Sequence, residues 1–436
     1  MLFIHPSHTV VLWIVLSLGC SLVRGGWAQA PSVDRAIAHY QRLLQRQPRD
    51  ATIYYLLGSV YAQKARESGD VSFVTLAEQA LRRALDLAPQ LSQATRHLAY
   101  VLYARHAFQE AITYATQAIT LDASDAYAYG VLGDAYLEVG QYASAREAYQ
   151  RMIHLRADLY AYSRLAGLKS VAGDAMGAIA DLTHAIQDGQ ARRQPAESIA
   201  WAQWQLGNEY WLLGQLAAAE VQYQAALATM PRYYRALAGL AQIRVAQQRY
   251  EDAIALYQQA LEIIPLPDYA AALGDVYTQL GHTEEAQRQY ALVAYIGRLT
   301  ALHQALYNRE VAVFYVDHDM QLAAALELAR NELAVRHDIY AYDLLAWALY
   351  KHDRPQEALT AMQHALKLGT QDARLFFHAG MIYQRLGDLT QARTYLQRAL
   401  ATNPHFHLFH AEVARRALAA LPTPLGPTVS QELAYD

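Results

Sequence analysis

The chain is poor in cysteine, lysine and net charge, and each shortage removes a class of protein. A single cysteine, Cys20, stands in 436 residues, so a disulfide framework, a cysteine zinc site and an iron–sulfur cluster are excluded together. Only four lysines occur, Lys64, Lys169, Lys351 and Lys367. Lys and Arg total 36 against 40 Asp and Glu, a net charge of −4 with no long basic run. The electrostatic footprint of a nucleic-acid binder is therefore missing. No apolar run reaches the roughly 18 to 20 residues that span a bilayer. Also missing are a Gly-x-Ser-x-Gly elbow, a phosphate loop, a His-Glu-x-x-His pair and a Gly-rich dinucleotide turn after a strand. The expectation is a protein that is not an enzyme and carries no cofactor and no metal. What is abundant is apolar material, 54% of the residues, and tyrosine, 32 of them; most of the chain must be packed.

The longest apolar run, residues 9–23, suits a secretory leader better than an anchor, and Ala28-Gln29-Ala30 after it has the small-x-small form of a cleavage site. Residues 1–30 read as a signal peptide cut after Ala28 or Ala30. That implies an extracytoplasmic protein, periplasmic or secreted, with no stable membrane span once the leader is gone. Lipidation at Cys20 is the weaker alternative, because Ser17-Leu18-Gly19-Cys20 departs from the usual lipoprotein order.

Self-similarity at a fixed spacing dominates the rest. Gly133 is followed by Tyr136, Gly140, Ala145, Tyr149 and Met152. The same offsets return from Gly207 (Tyr210, Gly214, Ala219, Tyr223), from Gly274 (Tyr277, Gly281, Ala286, Tyr290) and from Gly380 (Tyr383, Gly387, Ala392, Leu396). Ala241, Ala312 and Ala346 stand in the glycine's place in weaker copies, about 34 residues apart where consecutive. A small residue in one helix admits a close partner helix. The Gly seven residues on supplies a left-handed helix end, and Pro48, Pro89, Pro231, Pro265 and Pro404 start the turn to the next unit because they cannot continue a helix.

On these residues the chain resembles the tetratricopeptide repeat family from about residue 33 to about residue 406. The resemblance implies an all-α, right-handed α-solenoid of about ten helical hairpins, with a half unit at residues 36–40 ahead of them. Together with the leader it implies an exported bacterial member. Extra residues between Tyr61 and Ala77 predict a longer connection in the first hairpin, and the polar stretch 187–195 predicts a joint. A smaller break falls near 296–302. The expected divisions are a leader over 1–30, N-terminal units over 31–192, C-terminal units over 193–406, and a capping helix with a loose tail over 407–436.

In this family the face of each first helix at positions −6, −3, +1 and +4 from the small anchor looks into a concave groove. Around Gly207 it carries Trp201, Trp204, Asn208 and Trp211; around Ala346, Tyr340, Asp343, Trp347 and Tyr350; around Ala99, Gln93, Arg96, Tyr100 and Tyr103. Tyr127, Asp134, Tyr160 and Phe377 continue the stripe. So many rings predict a groove that grips a protein or peptide in the cell envelope; the alternative is packing of the rings on the next hairpin. A rival function is an accessory role in envelope polysaccharide assembly or export, with a glycan stacked on the rings. Arg96 with Tyr100, Trp204 with Asn208, and Asp343 with Trp347 stand where relatives that grip chaperone carboxyl termini carry Lys and Asn, so that mode is not expected. His405-Phe406-His407-Leu408-Phe409-His410 is the nearest approach to a metal set, but no carboxylate completes it at a recognisable spacing; caps and surface residues explain it. Turn chemistry explains Asp317-His318-Asp319.

Overall fold

A computed structural model describes residues 33–302 and 308–422. Helix α1 (Val33–Arg46) leads ten hairpins. The first five are α2 (Ala51–Ser68) with α3 (Ser72–Leu87), α4 (Ser92–Ala104) with α5 (Phe108–Leu121), α6 (Ala126–Glu138) with α7 (Tyr142–Leu155), α8 (Leu159–Val171) with α9 (Ala175–Ala191), and α10 (Ala196–Leu212) with α11 (Leu216–Thr229). The next five are α12 (Tyr234–Ala246) with α13 (Tyr250–Ile263), α14 (Pro267–Leu280) with α15 (Thr283–Leu302), α16 (Asn308–Asp317) with α17 (Leu322–Val335), α18 (Ile339–Lys351) with α19 (Pro355–Leu366), and α20 (Ala373–Leu386) with α21 (Leu389–Thr402). Helix α22 (His410–Ala420) closes the stack, and no strand occurs among the described residues. The fold is the expected all-α solenoid. The leader reading lies outside the described residues, as does most of the tail.

The repeat spacing translates directly into packing. A Cβ placed on Gly133 would sit 2.4 Å from Tyr149 in the second helix, on Gly207 2.5 Å from Tyr223, and on Gly274 2.5 Å from Tyr290. The small anchor is thus the floor on which the large residue sixteen positions later rests. Seven residues after each anchor the backbone is left-handed: Gly140 (φ 72°), Gly214 (φ 68°) and Gly387 (φ 81°), but also His106, Gln248, Asp319 and Asp353. Where the repeat lacks glycine it accepts the strain of a side chain at positive φ. Asp50, Asp125, Asp158, Asp338 and Asp372 cap first helices by accepting backbone N–H groups.

Two sequence expectations change in detail. The extra residues of the first hairpin lengthen the helices instead of the connection: α2 runs 18 residues and ends at Gly69 in the left-handed region, three residues before α3. The joint near 187–195 is likewise mostly helix, since α9 and α10 each have 17 residues. The main hydrophobic core continues past it, joining Leu159 and Tyr160 to Trp201 and Trp211.

First and second helices differ sharply in burial. In α10, 14 of 17 residues are buried, whereas α11 buries only Ala219, Tyr223 and Ala226. A first helix buried nearly all round must be covered on its inner side as well. Part of the cover is a second winding of the same chain. His337 N–H donates to the carbonyl of Glu138, Ile339 N–H to Tyr142 Oη at 3.0 Å, Thr370 Oγ1 to the carbonyl of Val171, and Asn403 Nδ2 to the carbonyl of Trp211 at 2.7 Å. The partners lie 192–199 residues apart, so one winding takes about six 34-residue units.

Candidate functional site

The predicted stripe is where the sequence places it, on the first helices, but its side chains are engaged within the protein. Arg96 reaches both carboxylate oxygens of Asp125 at 3.0 Å. Tyr103 donates to Glu138 at 3.2 Å and Tyr127 to Asp158 at 3.0 Å. Tyr160 donates to Gln194 at 3.2 Å, and Arg66 lies over the ring of Tyr100. Asp343 accepts from His378 at 2.7 Å, and Trp347 Nε1 donates to Asp317 at 2.8 Å. These pairs are 29–35 residues apart, about one repeat. Each of these residues therefore ties its hairpin to an adjacent one.

The expectation of an open ring-lined groove is corrected accordingly. Trp201, Trp204, Trp211, Tyr100, Tyr103, Tyr127, Tyr160, Tyr340, Trp347 and Phe377 are buried, together with Asp134, Asn208 and Asp343. Arg96 and Tyr350 are half-buried. Arg235 lies over the ring of Trp204 at 5.0 Å, while Trp347 stacks on Tyr350 at 4.7 Å and on His378 at 4.2 Å. The physical reason is curvature. With about six hairpins per winding the first helices converge, and large side chains on their inner faces meet each other before they meet water.

A second periodic feature escaped the sequence reading. The residue just after the anchor receives the hydroxyl of the tyrosine resting on that anchor: Tyr149 to Asp134 at 2.8 Å, Tyr223 to Asn208 at 2.8 Å, and Tyr290 to Asp275 at 2.6 Å. Where position +16 is Leu396, position +1 is the apolar Met381. That covariation within the chain was a readable signal. It assigns Asp134 and Asn208 to the hairpin interior. Arg164, fully buried, also meets Asp134 at 2.9 Å. Burial pushes the Asp134 carboxyl up to about 6 against the pull of Arg164 and Tyr149.

The windings are joined by a buried ionic cluster. Arg336 meets Glu138 at 3.1 Å and Glu332 at 3.3 Å. Arg309 meets Glu332 and Asp338, each at 2.8 Å. Arg336 also reaches His106 Nε2 at 2.8 Å and covers the ring of Phe108. Burial raises Glu138 to about 7, opposed by Arg336.

Solvent does reach one part of the stripe. A cleft of about 730 Å³ opens at the N-terminal ends of α2, α4 and α6, lined by Tyr55, Gln93, Arg96, Asp122, Tyr127 and Arg156 among others. Arg156 lies over the ring of Tyr127 at 5.2 Å. Ser124 Oγ donates to Asp122 at 2.6 Å in the turn beside it, and the nearby His97 uses Nδ1 on the carbonyl of Gln93 at 2.7 Å.

Stacked hairpins with a small anchor, a left-handed turn at +7 and a closing proline define an α-solenoid repeat protein. Family models described as Tetratricopeptide repeat match residues 32–90, 98–163 and 344–409, and a further one matches 210–276. Together they cover more than half of the chain, which belongs to the tetratricopeptide repeat family. The chain is 26% identical over 218 residues to the Protein O-mannosyl-transferase TMTC1 of Homo sapiens; the match takes in 48% of this chain but only 24% of that protein. Among solved structures, the Human IFIT1 dimer with m7Gppp-AAAA has a TM-score of 0.51 at 16% identity, covering 77% of this chain and 76% of that one. The APC/C hetero-tetramer Cut9-Hcn1 aligns over 89% of this chain and 97% of that one at 15% identity, with a TM-score of 0.32. The IFIT1 structure shares the fold with this chain. Among the described residues, no helix is long and apolar enough to cross a membrane.

Proposed function

We propose that the protein is a non-catalytic scaffold that binds an extended polypeptide outside the cytoplasm. The observation that carries this reading is the cleft at the N-terminal ends of α2, α4 and α6, where Arg96 and Tyr127 of the stripe border open space of about 730 Å³. Its size lies within the range of ordinary ligand pockets. Its chemistry is mixed: exposed Arg156 and Gln93 donate, Asp122 accepts, and Tyr55 offers a half-buried ring. That mixture suits a peptide backbone with varied side chains better than a single small molecule. The location rests on the leader at 1–30 and on Cys20 being the only cysteine. The sugar-binding alternative has less to stand on, since Trp201, Trp204 and Trp211, its stacking platform, are buried.

The test is a photo-reactive amino acid at Gln93 in the native host. Cross-linking to a polypeptide, abolished by Arg156→Glu, is the expected result. Absence of a polypeptide cross-link, or a glycan-array signal in its place, overturns the reading. Intact mass of the mature chain checks the location: a start at Gln29 or Pro31 is expected, and one at acylated Cys20 would tether the protein to a membrane.

A further inference from the structure

The winding brings together three donors that the sequence keeps far apart. Asp317 ends α16, His407 lies in the segment between α21 and α22, and His410 begins α22. Their ligand atoms all lie within 4.8 Å of one another. His407 and His410 are buried and Asp317 half-buried. The carboxylate that completes the histidine pair is 90 residues upstream of His407, beyond any local spacing.

Three observations point to a ligand. Oδ2 of Asp317 and Nδ1 of His410 are buried with no hydrogen-bond partner among the described residues, and buried polar atoms left unsatisfied are costly. The other oxygen, Oδ1, is held by Trp347 Nε1 at 2.8 Å, the kind of outer contact that orients a ligating carboxylate. Lastly, a cleft of about 460 Å³ lined by His405, His407, Phe409 and Glu412 gives a route from solvent.

We propose that Asp317, His407 and His410 form a binding site for a divalent first-row transition ion such as zinc. Two imidazole nitrogens and one carboxylate oxygen suit such an ion and not magnesium or calcium, which take oxygen ligands. Three protein ligands leave a fourth position for water or a partner's side chain. A tetrahedral zinc ion with bonds of about 2.0–2.1 Å holds its donors roughly 3.3 Å apart, so the site closes by side-chain rotation. The rings of His407 and His410 stack at 3.8 Å, nearly parallel, and binding tilts them until their lone pairs converge. His407 accepts the N–H groups of Phe409 and His410 on Nδ1 at 3.2 and 2.9 Å. A ligand bond from this ring therefore comes from Nε2, with the ring proton passing to Nδ1, which gives up the two amide hydrogen bonds.

The experiment is titration of the purified, tag-free, chelator-stripped chain with Zn²⁺ against a competing chromophoric chelator, and with Co²⁺ for its visible spectrum. One tight equivalent per chain is expected, with tetrahedral cobalt bands, proton release, and affinity that rises with pH. His410→Gln and Asp317→Asn should each weaken binding at least about tenfold, and Trp347→Phe about tenfold through loss of the carboxylate's orientation. His405→Ala should leave it unchanged. Circular dichroism confirms folding, and His410→Gln carries the test if Asp317→Asn does not fold. No tight equivalent, or binding that survives His410→Gln and so belongs to surface histidines, overturns the proposal.

Discussion

Replacing Arg336 by Leu should separate the two windings of the solenoid. The guanidinium is buried with a side-chain exposure of 2%, and its partners Glu138 and Glu332 are at 1% and 9%. Removing it strands Glu138, whose other partner is the neutral Tyr103 hydroxyl at 3.2 Å. Breaking a buried pair from one side typically costs about 3–5 kcal/mol. Glu332 suffers less because Arg309 still reaches it at 2.8 Å. Adding Glu138→Leu removes the stranded charge, and replacing both partners by apolar groups is often near neutral. The double variant should therefore recover most of the loss. As a yardstick, Lys351→Ala breaks the more exposed pair with Asp319 and should cost about 1 kcal/mol or less. Urea unfolding gives the energies, and small-angle scattering gives the spacing between windings. A loss below about 1 kcal/mol for Arg336→Leu, or no recovery in the double variant, would refute a desolvated ionic joint.

Trp204→Ala should destabilise by about 3–5 kcal/mol, the usual cost of a core truncation, because the ring is only 9% exposed; a melting curve close to the parent's would return the ring to an open groove. Gly207→Ala drives a methyl to 2.5 Å from the Tyr223 ring and should cost about 1–3 kcal/mol by overpacking, read from denaturant midpoints. Gly173→Ala is strained twice, by φ of 81° and by the Gly369 carbonyl oxygen 2.3 Å from the new Cβ, so scattering should show the windings moved apart; unchanged dimensions would contradict the contact. Burial raises the carboxyls of Glu138, Asp268 and Asp372 to about 7 and Glu209 to about 8. Between the ordinary carboxyl range and these values these four groups bind more protons in the folded chain than in the unfolded one, and they outweigh the opposite effect of His97, His106 and His410, which burial keeps neutral, so stability should fall as pH rises from about 5 to 8. Glu209→Gln should flatten that slope, and a Tm that rises with pH over this window would disprove the assignment.

Features that depend on neighbours in sequence were legible before the structure. The anchors at Gly133, Gly207, Gly274 and Gly380, the turns at +7 and the cap after Pro404 all follow from one helical period and the sterics of glycine and proline. Features that depend on the winding were not. The radius of a solenoid is set by a small rotation at each hairpin interface, and that rotation decides whether Trp201 or Trp211 faces water or another helix. The same rotation closes Asp317 onto His410. No spacing within a single repeat encodes it.

Stacking one winding on the next also imposes an order on synthesis. Glu138, Val171 and Trp211 are made 192–199 residues before the residues that cover them. At roughly 5–20 residues per second, the interval is about 10–40 s. During it the nascent N-terminal winding carries a bare polar rim, with Glu138 still hydrated and ionised. A chain stalled before Arg336 keeps that rim indefinitely. Such a fragment can have every one of its hairpins folded and still be recognised as unfinished, because Glu138 stands in water where the finished protein buries it against Arg336.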